Sequence, residues 1–144
     1  MSKNKHATGV LSKAILEGDV AAAKEAIANG ADVNHKWHKL DGGYSLMHRA
    51  ARSAKSNAIL KLLIDAKANV HALDANAWTP LHMAAAWHNG EAITMLRAAG
   101  ADVNAKSKDG KTPLDALWES HPLGTLPDGS YGVVDKGAIA ALLA

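Results

Sequence analysis

Thr79-Pro80-Leu81-His82 returns as Thr112-Pro113-Leu114-Asp115, and Ala68-Asn69-Val70-His71 returns as Ala101-Asp102-Val103-Asn104. Both steps are 33 residues (112 − 79 and 101 − 68). A fixed period of this size marks a unit too thin to bury its own apolar face, which must stack on copies of itself. The chain therefore reads as a short solenoid. Its function should lie in surface positions where the copies differ. Further out, Gly30-Ala31-Asp32-Val33-Asn34 is an earlier copy of Gly100-Ala101-Asp102-Val103-Asn104, and Ser45-Leu46-Met47-His48 is a degraded copy of Thr79-Pro80-Leu81-His82. Four units follow, at about 8–34, 35–71, 72–104 and 105–144, in one domain spanning 1–144. His71 − Asn34 is 37, so four residues are inserted: three in His35 to Gly43, one in the Arg52–Asn57 turn. Insertions belong in loops, where they cost little chain entropy.

Each unit has a physical reading. Thr79 is a good N-cap, and Pro80 suits the first helical position, where no amide partner is lost. Leu81, Ala84 and Ala85 fall at helical spacing, and small Ala lets neighbouring helices approach. The first helix of the unit ends near His88-Asn89-Gly90, and a second runs from Glu91 to about Ala99. Gly100 ends it in the left-handed conformation that Gly adopts cheaply. Lys67 holds the same slot in the preceding unit. An extended connection then turns tightly at Lys108-Asp109-Gly110. Helix, helix and β-turn every 33 residues, with Trp78-Thr79-Pro80-Leu81-His82-Met83-Ala84-Ala85 and Gly100-Ala101-Asp102-Val103-Asn104-Ala105, resembles the ankyrin repeat. The fold expected from the resemblance is an all-α solenoid of helix–turn–helix units joined by β-turn fingers. The resemblance also implies that His48 and His82 bond to neighbouring turns.

Composition sets limits. The chain has no Cys and no Phe, only four Trp and two Tyr, so Ala, Leu and Ile must fill the core. Disulfides and zinc–Cys sites are excluded. Met1 to Val10 is basic without a continuous apolar segment, which does not read as a secretory signal. No stretch approaches the ~20 apolar residues of a membrane span, so no membrane role is expected and a cytoplasmic location is the default. There is no Gly-rich phosphate loop, nucleophile elbow or paired-His protease motif; no enzyme and no cofactor are expected. His35 and His38 flank Trp37 in the first inserted loop and form a rival, two-ligand metal or small-ligand reading.

In ankyrin-like proteins the groove and finger positions lie just before the Thr-Pro pair, after the His, and after the paired Ala. By that resemblance the finger row is Tyr44, Trp78, Lys111. The groove rows are Arg49, Met83, Ala116, then Arg52, Ala86, Glu119, then Ser53, Trp87, Ser120. Trp, Tyr and Arg are the types that dominate interface energies. Trp78 and Trp87 also have a structural reading, Trp78 covering the finger base on Tyr44 or under Lys111, and Trp87 shielding the turn at His88-Asn89. From His35 to Lys61 the charged residues are Lys36, Lys39, Arg49, Arg52, Lys55 and Lys61 against Asp41 alone, although the whole chain carries only +2. Trp37 is expected at the tip of the enlarged first finger. A basic, aromatic-studded groove suits an acidic protein. The modest net charge gives no extended phosphate track, which disfavours nucleic acid. The expected function is non-catalytic binding of an acidic protein partner, as inhibitor, immunity protein, effector or scaffold.

Terminal units need caps. The first unit lacks a finger, and its helices are expected at Val10–Glu17 and Val20–Asn29. The last carries a long insert at about 121–135, expected to cover Trp118 and the apolar helix Lys136–Ala144. Otherwise a second molecule covers that helix. A monomer is expected, with a dimer through the last helix as the alternative.

Overall fold

The computed structural model describes residues 3–119 and 136–144. Among the described residues eight α-helices form four packed pairs: α1 (Lys5–Glu17) with α2 (Val20–Ala28), α3 (Leu46–Ala51) with α4 (Asn57–Asp65), α5 (Pro80–Ala86) with α6 (Gly90–Ala98), and α7 (Pro113–Glu119) with α8 (Lys136–Ala141). Each pair packs on the next: α1, α3, α5 and α7 form one layer, and α2, α4 and α6 a second. The core lies between the layers. Leu11, Leu46, Leu60, Leu63, Leu81, Ile93, Leu96 and Leu117 are wholly buried there, with Ala50, Ala51, Ala84 and Ala85 at the close approaches. No helix among the described residues is long and apolar enough to cross a membrane.

Helix starts follow the expected chemistry. Ser45 and Thr79 accept from the amides of His48 and His82, and each His ring bonds back to its cap residue, closing a capping box. Gly30 (φ 86°), Lys67 (φ 65°) and Gly100 (φ 95°) all end their helices left-handed. Both inserted segments appear as 3₁₀ turns, Lys39–Asp41 in the first finger and Ala54–Ser56 between α3 and α4. The fingers are tied by the Trp37, Asp74 and Ser107 amides donating to Tyr44, Trp78 and Lys111 carbonyls at 2.9, 3.0 and 2.9 Å. They also bond to one another, Ala75 N–H to Gly42 O and Lys108 N–H to Asn76 O.

Some boundaries differ from the sequence reading. The first helix starts at Lys5, five residues before Val10, because Asn4 caps it by accepting from Ala7 N–H at 3.1 Å. The sixth starts at Gly90 because Asn89 is its cap. The last stops at Ala141 rather than Ala144. There Leu143 enters the core and Arg97 Nη1 donates to Leu142 O at 2.6 Å. Trp118, expected beneath the insert, keeps 54% of its surface exposed. The insert at 121–135 and Ser120 lie outside the described residues.

Candidate functional site

The site is built on the end of α3. Arg49 lies in the last turn of that helix and Arg52 is its C-cap, so the two share one face at i, i+3 spacing. The Arg49 guanidinium lies over Trp37, 4.8 Å from the ring centroid. Arg52 lies over Trp87, the C-cap of α5, at 4.3 Å. A guanidinium on an indole face is held by the ring quadrupole while its N–H edges stay available. Tyr44, His48, Arg49, Arg52, Met83 and Trp87 enclose a cavity of about 210 Å³. It adjoins a larger cleft of about 850 Å³, which runs past Arg52 and Trp87 to Ile15, Leu16, Asn57 and Glu91.

The walls of this groove are fixed by neutral hydrogen bonds. Ser45 N–H donates to His48 Nδ1 at 3.1 Å, which makes Nδ1 an acceptor, so Nε2–H donates to Trp78 O at 2.6 Å. Thr79 N–H, His82 and Lys111 O repeat the pattern one unit on, at 3.1 and 2.8 Å. Each ring thus ties a helix start to the base of the next finger. Burial holds both imidazoles below their ordinary pKa, offset in part by the carbonyls they donate to. Beside the groove, Asn89 Nδ2 donates to Ala51 O and to Asn57 Oδ1, and Asn57 Nδ2 donates to Glu91 Oε2. That network fixes the mouth of the larger cleft.

The structure brings Tyr44, Arg49, Arg52, Met83 and Trp87 together, but not every sequence-predicted residue. Trp37 is at the stem of the first finger, not at its tip. Its N–H pairs with Tyr44 O, the 3₁₀ turn extends the loop beyond it, and its ring is half-buried against His35 and Arg49. The tip is Leu40, 90% exposed, which sequence reasoning missed because an apolar residue in a short loop carries no periodic signal. Trp78 stacks on His82 (5.7 Å, 24°), rather than on Tyr44 or under Lys111. Tyr44 meets His48 edge-on. Lys111 pairs with Glu119, and that hydrogen bond raises its pKa. Met83, Ala86 and Ala116 are buried, so they form the floor of the groove rather than its contact face. His38 Nδ1 accepts from Leu40 N–H at 3.2 Å, and His35 packs on Trp37. Among the described residues no three His, Asp or Glu gather as metal ligands.

Comparison with known proteins agrees with the geometry. The model for ankyrin repeats (3 copies) matches residues 11–107. A Caenorhabditis elegans homolog of the transient receptor potential cation channel subfamily A member 1 is 39% identical over 70 residues, covering 49% of this chain and 6% of that protein. Mouse protein phosphatase 1 regulatory subunit 12A is 36% identical over 91 residues (63% of this chain, 9% of that protein). Mouse protein phosphatase 1 regulatory subunit 27 is 33% identical over 75 residues (52% and 48%). The chain spans less than half the length of each of these relatives.

Proposed function

The chain belongs to the ankyrin-repeat family, and on that premise we propose that it is a non-catalytic binding module whose groove between the α3 end and α5 captures an acidic protein surface. Ankyrin repeats are protein-interaction modules. The observation that carries the rest is the pair of arginines, each laid on a Trp ring at one groove. They stand in a segment with six Lys or Arg and one Asp. Such a field speeds encounter with an acidic partner, and the rigid aromatics give contact area at small entropic cost. Trp37, Tyr44, Arg49, Arg52 and Trp87 make the contact over the buried Met83; Trp78 and Lys111 border it from the fingers. An inhibitory or regulatory role is compatible with this surface.

Poly-L-glutamate, poly-L-lysine and a mixed-sequence DNA duplex, titrated calorimetrically at low and high salt, test the reading. Poly-L-glutamate should bind, weaken as salt rises, and bind more tightly than the duplex. Equal binding of poly-L-lysine, or none of poly-L-glutamate, would sink it.

A further inference from the structure

We propose that Arg49 and Arg52 form a clamp for one glutamate side chain of the partner, and that the exposed Leu16 beside them receives an apolar residue of the same segment. The inference rests on the acidic-partner reading and names the group by which that partner is held. Both guanidiniums have their faces committed to indoles, so what they present is edges, the geometry that a carboxylate meets with two parallel hydrogen bonds. The ion pairs among the described residues, Lys13–Glu17 and Lys111–Glu119, leave Arg49 and Arg52 without a carboxylate. Arg49 Nε is shut off from solvent and has no hydrogen-bond partner among the described residues. The rest of Arg49 is only half-buried and Arg52 is exposed, so the outer Nη edges of both stay open to a carboxylate.

The cavity selects the stem as well as the charge. At about 210 Å³, floored by Met83 and Trp87, it offers apolar surface to the methylenes of a glutamate. A phosphoserine meets the same N–H edges, but its single methylene uses less of this apolar surface than the two of a glutamate. The adjoining cleft has different chemistry. Leu16 is 58% exposed there, while Glu91, held by Asn57, repels a second acid. The favoured segment is therefore a glutamate followed or preceded by an apolar residue, which should bind more tightly than a uniformly acidic run of the same length.

Short glycine–serine peptides carrying one glutamate and one leucine at varied spacing, titrated into the ¹⁵N-labelled protein, provide the test. At one favoured spacing the Trp87 indole and Arg52 Nε–H signals should shift and saturate. Replacing the glutamate by glutamine should weaken binding about tenfold or more. Arg52→Gln should do the same, and Arg49→Gln likewise if its melting curve is unchanged; Lys61→Gln, elsewhere in the basic segment, should not. Leu16→Ser should weaken only peptides that carry the leucine. Equal binding of the glutamate and glutamine peptides, no effect of Arg52→Gln, or no shift at Trp87 overturns the clamp. A phosphoserine peptide that binds more tightly through the same arginines overturns the carboxylate assignment. If poly-L-glutamate binds wild type and Arg52→Gln alike, the groove reading survives and the clamp falls; if it binds neither, both fall.

Discussion

Lys67 ends α4 at φ 65°, in the slot where the sister units place Gly30 and Gly100. A side chain in this region costs roughly 1 kcal/mol through Cβ crowding. Lys67 is exposed, and its amide bonds to Ile64 O at 3.0 Å whatever the side chain is. Lys67→Gly should therefore be neutral or stabilise by up to about 1 kcal/mol, the relief of strain outweighing the greater freedom of Gly in the unfolded chain. Thermal melts check this; a fall of several degrees would mean that the lysine stem makes a contact worth more than the strain. This conformation was legible in the sequence, because the slot is fixed by register. The stacking of Arg49 on Trp37 and Arg52 on Trp87 was not. Those pairs are 12 and 35 residues apart, bridge different elements, and depend on where loops with no period of their own carry each ring.

The elements are joined in a direction that the repeat itself dictates. His48 ties the start of α3 to the base of the second finger, and His82 ties α5 to the third. The period, the caps and the helix pairs could be read from sequence because each is a local rule repeated. The start of α1 at Lys5 could not, since Asn4 also reaches Gly30 and Asn29 at the end of its partner helix α2, a tertiary tie. The two histidine ties make stability depend on pH. Both native pKa values lie below the ordinary 6.5, so as pH falls past that value the unfolded chain takes up protons that the native state refuses. The stability they provide is complete above about pH 7 and is lost on acidification through the depressed values. Nearby Asp74 and Asp115 soften the loss, and Lys36 beside His48 deepens it. Asp115 itself, lowered by its bonds to Thr112, adds a loss only in the more acidic carboxylate range. Urea midpoints should fall from about pH 7.5 to about pH 5.5, and His82→Gln, whose amide N–H can replace Nε2–H, should flatten the slope. A midpoint that stays level or rises over this span would show that the rings take a proton at Nδ1, and give up the bonds from the Ser45 and Thr79 N–H groups, without losing stability.

At the largest scale the stack is one-dimensional, and among the described residues the first and last pairs each pack on one neighbouring pair while the middle two pack on two. At one end, α1 runs thirteen residues, buries Ala7, Leu11, Ala14 and Ile15, and is tied to α2 through Asn4. At the other, α8 has six residues, with Gly137 and Ala138 exposed and Ile139 half-buried. Among its anchors are Leu143 in the core, Ile139, Ala140 and Leu142 packed against it, and the bond from Arg97 to Leu142 O. Six residues make fewer than two turns, too few to hold helix without packing. The unit 105–144 should therefore open below the global unfolding free energy, while α3 to α6, packed on both sides, open only with the whole. Hydrogen exchange read by mass spectrometry should show α8 losing protection first, with α4 and α6 last. Leu143→Ala should speed exchange in α8 well before it lowers the urea midpoint. Leu96→Ala, which empties a fully enclosed site in α6, should lower that midpoint by about 2 to 5 kcal/mol of stability. If α8 exchanges as slowly as α4, or if Leu143→Ala costs as much global stability as Leu96→Ala, the end unit folds as one with the rest and the end-opening account is wrong.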